Sequence, residues 1–134
     1  MSWAEKYLEG GEDYGWAQLL GSCGSALMGR NTFDFMQDAG ADRILPTYVV
    51  TNSPYAFDGA NISGVTFVSG DLEAIIQRIY AEHPQDIFVY GGAVLVNSLI
   101  EAGLLDEMRL FIAPDVLGDG VRLFSEGFTS KFLL

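Results

Sequence analysis

The sequence predicts an α/β fold, and three observations carry that prediction. Short runs rich in β-branched and aromatic residues alternate with segments whose apolar residues recur every three or four positions, and glycines punctuate the junctions between them. Such alternation marks strands connected through helices and a sheet that is at least partly parallel. No internal repeat, low-complexity tract or linker interrupts the 134 residues, so residues 1–134 are expected to form a single domain.

Taken in order, residues 12–24 set Tyr14, Ala17 and Leu20 at helical spacing, with Gly21 and Gly24 at the end. Residues 25–29, SALMG, then read as a short buried strand. After the turn GRNT comes a short helix that stops near Gly40 and can present Phe33 with Met36 or Phe35 to a core. Residues 46–52, PTYVVTN, form the next strand, with Pro46 tolerated at its first position. A turn-rich segment, 53–64, leads to a strand over 65–69. Asp71 is placed to cap the clearest helix, in which Leu72, Ile75, Ile76, Ile79 and Tyr80 share one face. DIFVY, 86–90, reads as a strand buried on both faces, followed by a helix over 93–102 with Gly103 as its stop. The longest strand candidate is DEMRLFIAPDV, 106–116, which would pair in parallel with 86–90 through a right-handed crossover.

Charge narrows the functional classes. The formal net charge is −11 with only 7 Lys and Arg, which opposes docking to nucleic acid or to an anionic membrane. A phosphorylated ligand would need a site built locally from backbone N–H groups and a few side chains. Cys23 is the only cysteine, so no intrachain disulfide can form, and no second histidine joins His83 to bind zinc. The opening residues lack a basic segment followed by an apolar run, and no apolar stretch reaches membrane-spanning length. A cytoplasmic protein without a metal is the expectation.

Ligands of open α/β sheets collect beyond the carboxyl ends of strands, where helix N-termini offer unpaired N–H groups. Two junctions of that kind stand out. At Gly29-Arg30-Asn31-Thr32 the glycine permits close approach, while Arg30 and the Thr32 hydroxyl can bond phosphate oxygens. At Gly91-Gly92-Ala93-Val94 two glycines again remove side chains between backbone and ligand. A dinucleotide, with a diphosphate between two ends, has use for both. The dinucleotide fingerprint GxGxxG is absent, since Ala93 and Val96 stand where it needs glycine, although Asp115 could imitate its ribose-binding acid. No phosphate loop of the GxxxxGK type and no GxSxG elbow occurs. His83 reads as a loop or helix-end residue, Cys23 as a small helix-end packing residue, and Trp3 and Trp16 as surface packing of the first helix.

In their order, MGRNTF, YVVTN and IFVYGGAVLVNSLIEAGLLDEMRLFIAPDVLGDGVRLF resemble the dihydrofolate reductase superfamily. The nearer likeness is to the branch formed by the C-terminal reductase domain of the riboflavin biosynthesis deaminase/reductase and its single-domain relatives. The resemblance spans nearly the whole chain and implies a mixed, largely parallel sheet flanked by helices. It also implies NADPH bound across the sheet and hydride transfer to a pterin-like or aminopyrimidine ribosyl-phosphate substrate. Gly29, Arg30, Asn31 and Thr32 then match the cofactor-phosphate turn. Thr51 and Asn52 match the strand end near the adenosine ribose or its 2′-phosphate, with Asn52 where relatives often carry arginine. Gly91, Gly92, Ala93 and Val94 match the second pyrophosphate and nicotinamide-side turn.

The family pattern opens with a strand and a substrate-side segment and closes with a further strand. This sequence shows neither, so the fold is expected to be truncated at both ends. Glu12 and Asp13 are the acids nearest the position of the missing substrate-side segment, and no motif assigns either as proton donor. An interior strand contributes about four buried apolar side chains at roughly 1.5–3 kcal/mol each. That is comparable to the whole stability of a domain, about 5–15 kcal/mol. Either the neighbouring strands pair directly or a second subunit covers the edge, so a homodimer is expected. A non-catalytic nucleotide-binding or dimerisation module derived from the same fold is the alternative to an active reductase.

Overall fold

A computed structural model of the chain describes residues 5–53, 62–127 and 129. Five helices, α1 (Glu5–Leu8), α2 (Trp16–Ser22), α3 (Arg30–Asp38), α4 (Leu72–Glu82) and α5 (Ala93–Glu101), accompany four strands. The strands are β1 (Cys23–Gly29), β2 (Thr47–Val50), β3 (Val65–Val68) and β4 (Asp86–Gly91). They form one sheet in the order β3-β2-β1-β4, and every pairing is parallel. Where the sequence suggested a mixed sheet, the described strands make a purely parallel one.

Helix α3 crosses between β1 and β2 and α4 between β3 and β4, as parallel strands require, and the core follows from the alternation of side chains along the strands. In β1, Leu27 joins Tyr48, Val68, Ile75, Ile79, Leu95 and Leu99 beneath α4 and α5. Its neighbour Met28 faces the opposite way, onto Phe33 of α3 and Val49. Being central, β1 is buried on both faces, with Ala26, Leu27 and Met28 at 0% exposure. It also starts earlier than the sequence suggests, at Cys23, because Cys23 and Ser25 already pair with Asp86 and Ile87 of β4.

Helix ends obey the local chemistry. Asp71 accepts a hydrogen bond from the Ala74 N–H at 3.0 Å, as its N-cap position predicts. Gly103 (φ 68°) donates to the Ile100 carbonyl and Leu104 to that of Leu99, a pair of hydrogen bonds around a glycine that closes α5. His83 closes α4 through its backbone N–H, 2.7 Å from the Ile79 oxygen, which fits the helix-end reading.

Four expectations need correction. Tyr14 lies outside the first helix, with φ 52°, and α2 begins only at Trp16. Of the apolar stripe on α4, Tyr80 is 41% exposed; on α3 the expected alternatives resolve in favour of Met36, which packs with Phe33, while Phe35 faces out. Strand β4 is only partly buried along Ile87–Tyr90, because among the described residues it is paired with β1 alone. Finally, 106–116 is not a strand, and the expected parallel pair across 86–116 does not form. Strand propensity is realised only against a partner, and residues 105–123 make no backbone–backbone hydrogen bond among the described residues. Direct pairing of 106–116 with β4 is thus not seen among the described residues. The turn-rich 54–61 and Trp3 lie outside the described residues.

Candidate functional site at the carboxyl rim of the sheet

Strand order fixes where a ligand can enter. From β1 the chain moves by way of α3 to β2 on one side, whereas β4 arrives on the other side, so the switch point lies between the carboxyl ends of β1 and β4. Those ends are Gly29 and Gly91, and each leads directly into a helix, α3 or α5.

The two turns touch. A methyl group at Gly29 would stand 3.6 Å from the Gly92 nitrogen and 3.7 Å from the Gly91 carbonyl oxygen. One at Gly92 would meet the Thr32 hydroxyl oxygen at 3.3 Å. Gly91 has φ +107°, a conformation that side-chain-bearing residues rarely adopt, and no atom lies within 4 Å of the space its Cβ would fill. The Gly91–Gly92 peptide bond is cis.

Capping distinguishes these helices from α4. Neither Gly29 nor Gly92 supplies a side-chain cap, and no acidic residue occupies the first turn of α3 or α5. The first turns of two adjacent helices thus lie on one rim with no acidic residue of their own, an arrangement suited to an anion. Thr32 is half-buried beside Gly92, Asn31 and Val94 are exposed, and Ala93 is half-buried.

Arg30 is at the rim, yet its charge is shared. Its Nε donates to both carboxylate oxygens of Asp34, at 2.7 and 2.8 Å, one turn along α3. The i,i+4 spacing of an arginine and an aspartate is the sequence signal that could have revealed this pair.

The rim continues along the sheet. Thr51, directly after β2, is buried and donates its backbone N–H to the Val68 oxygen at 2.9 Å. Its hydroxyl accepts from the Ser53 N–H at 3.2 Å, while Asn52 is exposed. Past β3 opens a cleft of about 330 Å3, lined by Ser69, Asp71, Ala74 and Arg78 among others. Sequence reading missed this cleft because it arises only when α4 lies against β3. Arg78 on its wall is 3.4 Å from Glu82, a loose surface pair.

On the opposite side of the turns Trp16 meets Phe88 and Tyr90 edge to face, at centroid distances of 5.1 and 6.3 Å. Burial raises the Tyr90 phenol above its ordinary value and keeps it neutral. Asp13 proves structural: its carboxylate accepts the N–H groups of Gly15 (2.9 Å) and Ala17 (3.2 Å), which hold its pKa down. Asp115 is likewise engaged, by Lys6 Nζ and the Tyr7 hydroxyl at 2.7 Å each, and it does not end a strand; the ribose-acid reading fails there. Among the described residues no group of three His, Cys, Asp or Glu side chains could hold a metal ion, and no helix is long and apolar enough to cross a membrane.

A parallel sheet flanked by helices, with its switch point between β1 and β4, defines a class, the open-sheet α/β proteins. Within that class residues 3–133 match the RibD C-terminal domain, and the chain belongs to that family. It is 28% identical to the uncharacterized protein YwjB of Bacillus subtilis over 131 residues, covering 94% of this chain and 72% of the relative. The uncharacterized protein YyaP of the same organism is 30% identical over 122 residues, with 84% and 65% covered. A crystal structure of a Shewanella protein provisionally assigned to riboflavin biosynthesis superposes with a TM-score of 0.66 at 29% identity, covering 86% of this chain and 66% of that one. The chain thus spans roughly two thirds of these relatives' length.

Proposed function

We propose that this chain is an NADPH-dependent reductase whose substrate is an aminopyrimidine ribosyl phosphate or a pterin-like ring. The observation that carries the reading is the contact between the turns 29–32 and 91–94 at the switch point of the sheet. Bound there, NADPH supplies a hydride from its nicotinamide ring.

The remaining work belongs to the chain. First-turn N–H groups of α3 and α5 bind the diphosphate, and the glycines let the backbone reach it. Arg30 adds a charge-assisted hydrogen bond, oriented by Asp34. Thr51, Asn52 and the cleft beside Ser69 receive the adenosine end, and Arg78 on the wall of that cleft supplies a 2′-phosphate with the positive charge that the neutral Asn52 amide lacks. The aromatic face of Trp16, Phe88 and Tyr90 borders the turn on the nicotinamide side and shields it from water. This reading places the protein in a reducing, cytoplasmic compartment, in keeping with its single unpaired cysteine.

Calorimetric titration with NADPH and NADH, followed by NADPH oxidation assays with pterin and flavin-precursor substrates, tests the reading. Binding together with turnover supports it. Binding without turnover supports instead a nucleotide-binding module, and absence of binding rejects both.

A further inference from the structure

Beyond α5 the chain crosses a long exposed span whose two ends are fixed. Leu104 and Leu105 pack against the core beneath α4 and α5, and at the far end the Ser125 hydroxyl accepts from Asn97 of α5 at 3.0 Å. Between these anchors residues 106–123 make no backbone–backbone hydrogen bond among the described residues. Burial does not seat them either, since Ile112, Val116 and Val121 are 91–99% exposed. A segment of this kind opens readily, because opening breaks few contacts.

Side chains fasten the span, and they reach to the other end of the sequence. The Asp115 carboxylate accepts from Lys6 Nζ and from the Tyr7 hydroxyl, at 2.7 Å each. These donors, Lys6 foremost, hold its carboxyl below the usual range. Phe111 meets Tyr14 edge to face, 6.0 Å between centroids, and the Tyr14 hydroxyl donates to the Tyr7 carbonyl at 3.3 Å. Both fastenings therefore land on one short stretch, residues 6–14. That stretch runs through the Asp13 turn, where Gly15 and Ala17 donate to the carboxylate, into Trp16, which packs on Phe88 and Tyr90 of β4.

We propose that residues 6–14 and 106–123 close on one another as a two-part flap, latched by Asp115 on Lys6 and Tyr7, and that the latch sets how firmly Trp16 is seated against the aromatic edge of the candidate site. Each segment supplies contacts to the other, so releasing the latch loosens both. An exposed ion pair alone is weak. Here one carboxylate gathers two charge-assisted hydrogen bonds from residues more than a hundred positions away, which suits a fastening that opens and closes. The inference concerns motion within the chain and stands whether or not a nucleotide binds.

Limited digestion with an arginine-specific protease reads the flap at Arg109 and Arg122, with Arg78 inside α4 as internal control. Fluorescence of Trp16, in a Trp3→Phe background that leaves it the one tryptophan, reads its seating. Lys6→Glu and Asp115→Lys are each expected to speed cleavage at Arg109 and Arg122 about threefold or more. Each should also shift Trp16 emission to longer wavelength and leave cleavage at Arg78 unchanged. Combining the two substitutions restores opposite charges and is expected to recover most of the protection. Single variants cleaved at the wild-type rate overturn the proposal, as does a double variant no better protected than either single one. Cleavage at Arg78 rising in step would mean general loosening rather than a latch and overturns it too. Faster cleavage of the flap with unchanged Trp16 emission does the same.

Discussion

Arg30 joins the phosphate turn to its own helix, and the competition between them is measurable. Its pair with Asp34 is half exposed, with side-chain exposures of 33% and 47%, so releasing it costs no more than about 1 kcal/mol. Arg30→Ala is expected to weaken NADPH binding by about 1.5–3 kcal/mol. Asp34→Asn should tighten it by up to about 1 kcal/mol. Calorimetry that found Arg30→Ala neutral would return Arg30 to a surface role. A second residue-scale pair sits away from the site. The Tyr48 hydroxyl donates to Glu82 at 2.6 Å, and burial, then the hydrogen bond to Glu82, push the Tyr48 pKa up to about 12. The Tyr48 contribution is therefore complete below the ordinary tyrosine value of 10.0 and is lost as pH rises from there through about 12. Glu82 works in reverse: its lowered pKa stabilises above the ordinary value of 4.5 and ceases to do so as pH falls through the depressed one. Denaturant midpoints should thus fall between pH 10 and 12 in wild type and fall less in Tyr48→Phe, which costs about 1 kcal/mol at neutral pH. Equal slopes for the two proteins would discount the pair.

Elements were legible where the chain itself specifies the contact. The stripe Leu72, Ile75, Ile76 and Ile79 names the buried face of α4, and the Asp71 cap is plain in sequence because it acts within one turn. Asp71→Ala should cost about 1 kcal/mol in unfolding free energy. No loss in chemical denaturation would mean that the cap is replaced by solvent. Strands β1, β2 and β3 also stand close to their expected places, since β-branched runs between glycine and proline turns are local signals. What failed was non-local. Residues 106–116 carry the residue types of a strand, but pairing is a property of two segments, and the described partner is absent. Tyr80 extended the stripe of α4 on paper, whereas the sheet covers only part of that helix. The reach of Arg30 toward Asp34 was visible as spacing, but the cleft beside Ser69 depends on how α4 seats against β3, which no single segment encodes.

At the scale of the whole molecule, the sheet order brings two commonplace glycine turns together into one candidate site. Gly29 and Gly91 are more than sixty positions apart in sequence, and only the placement of β4 beside β1 brings Thr32 and Gly92 within contact. Membership of the RibD C-terminal domain family agrees with that arrangement and with a chemistry of riboflavin type. Acidic charge elsewhere on the surface makes the local convergence of amides more telling, because long-range attraction for a diphosphate is not available. The most direct test is a backbone amide NMR titration of the chain with NADPH. The account predicts that the amides of residues 29–32 and 91–94 shift together with one saturation curve. Saturable shifts confined to one turn, or lying elsewhere on the fold, would contradict it.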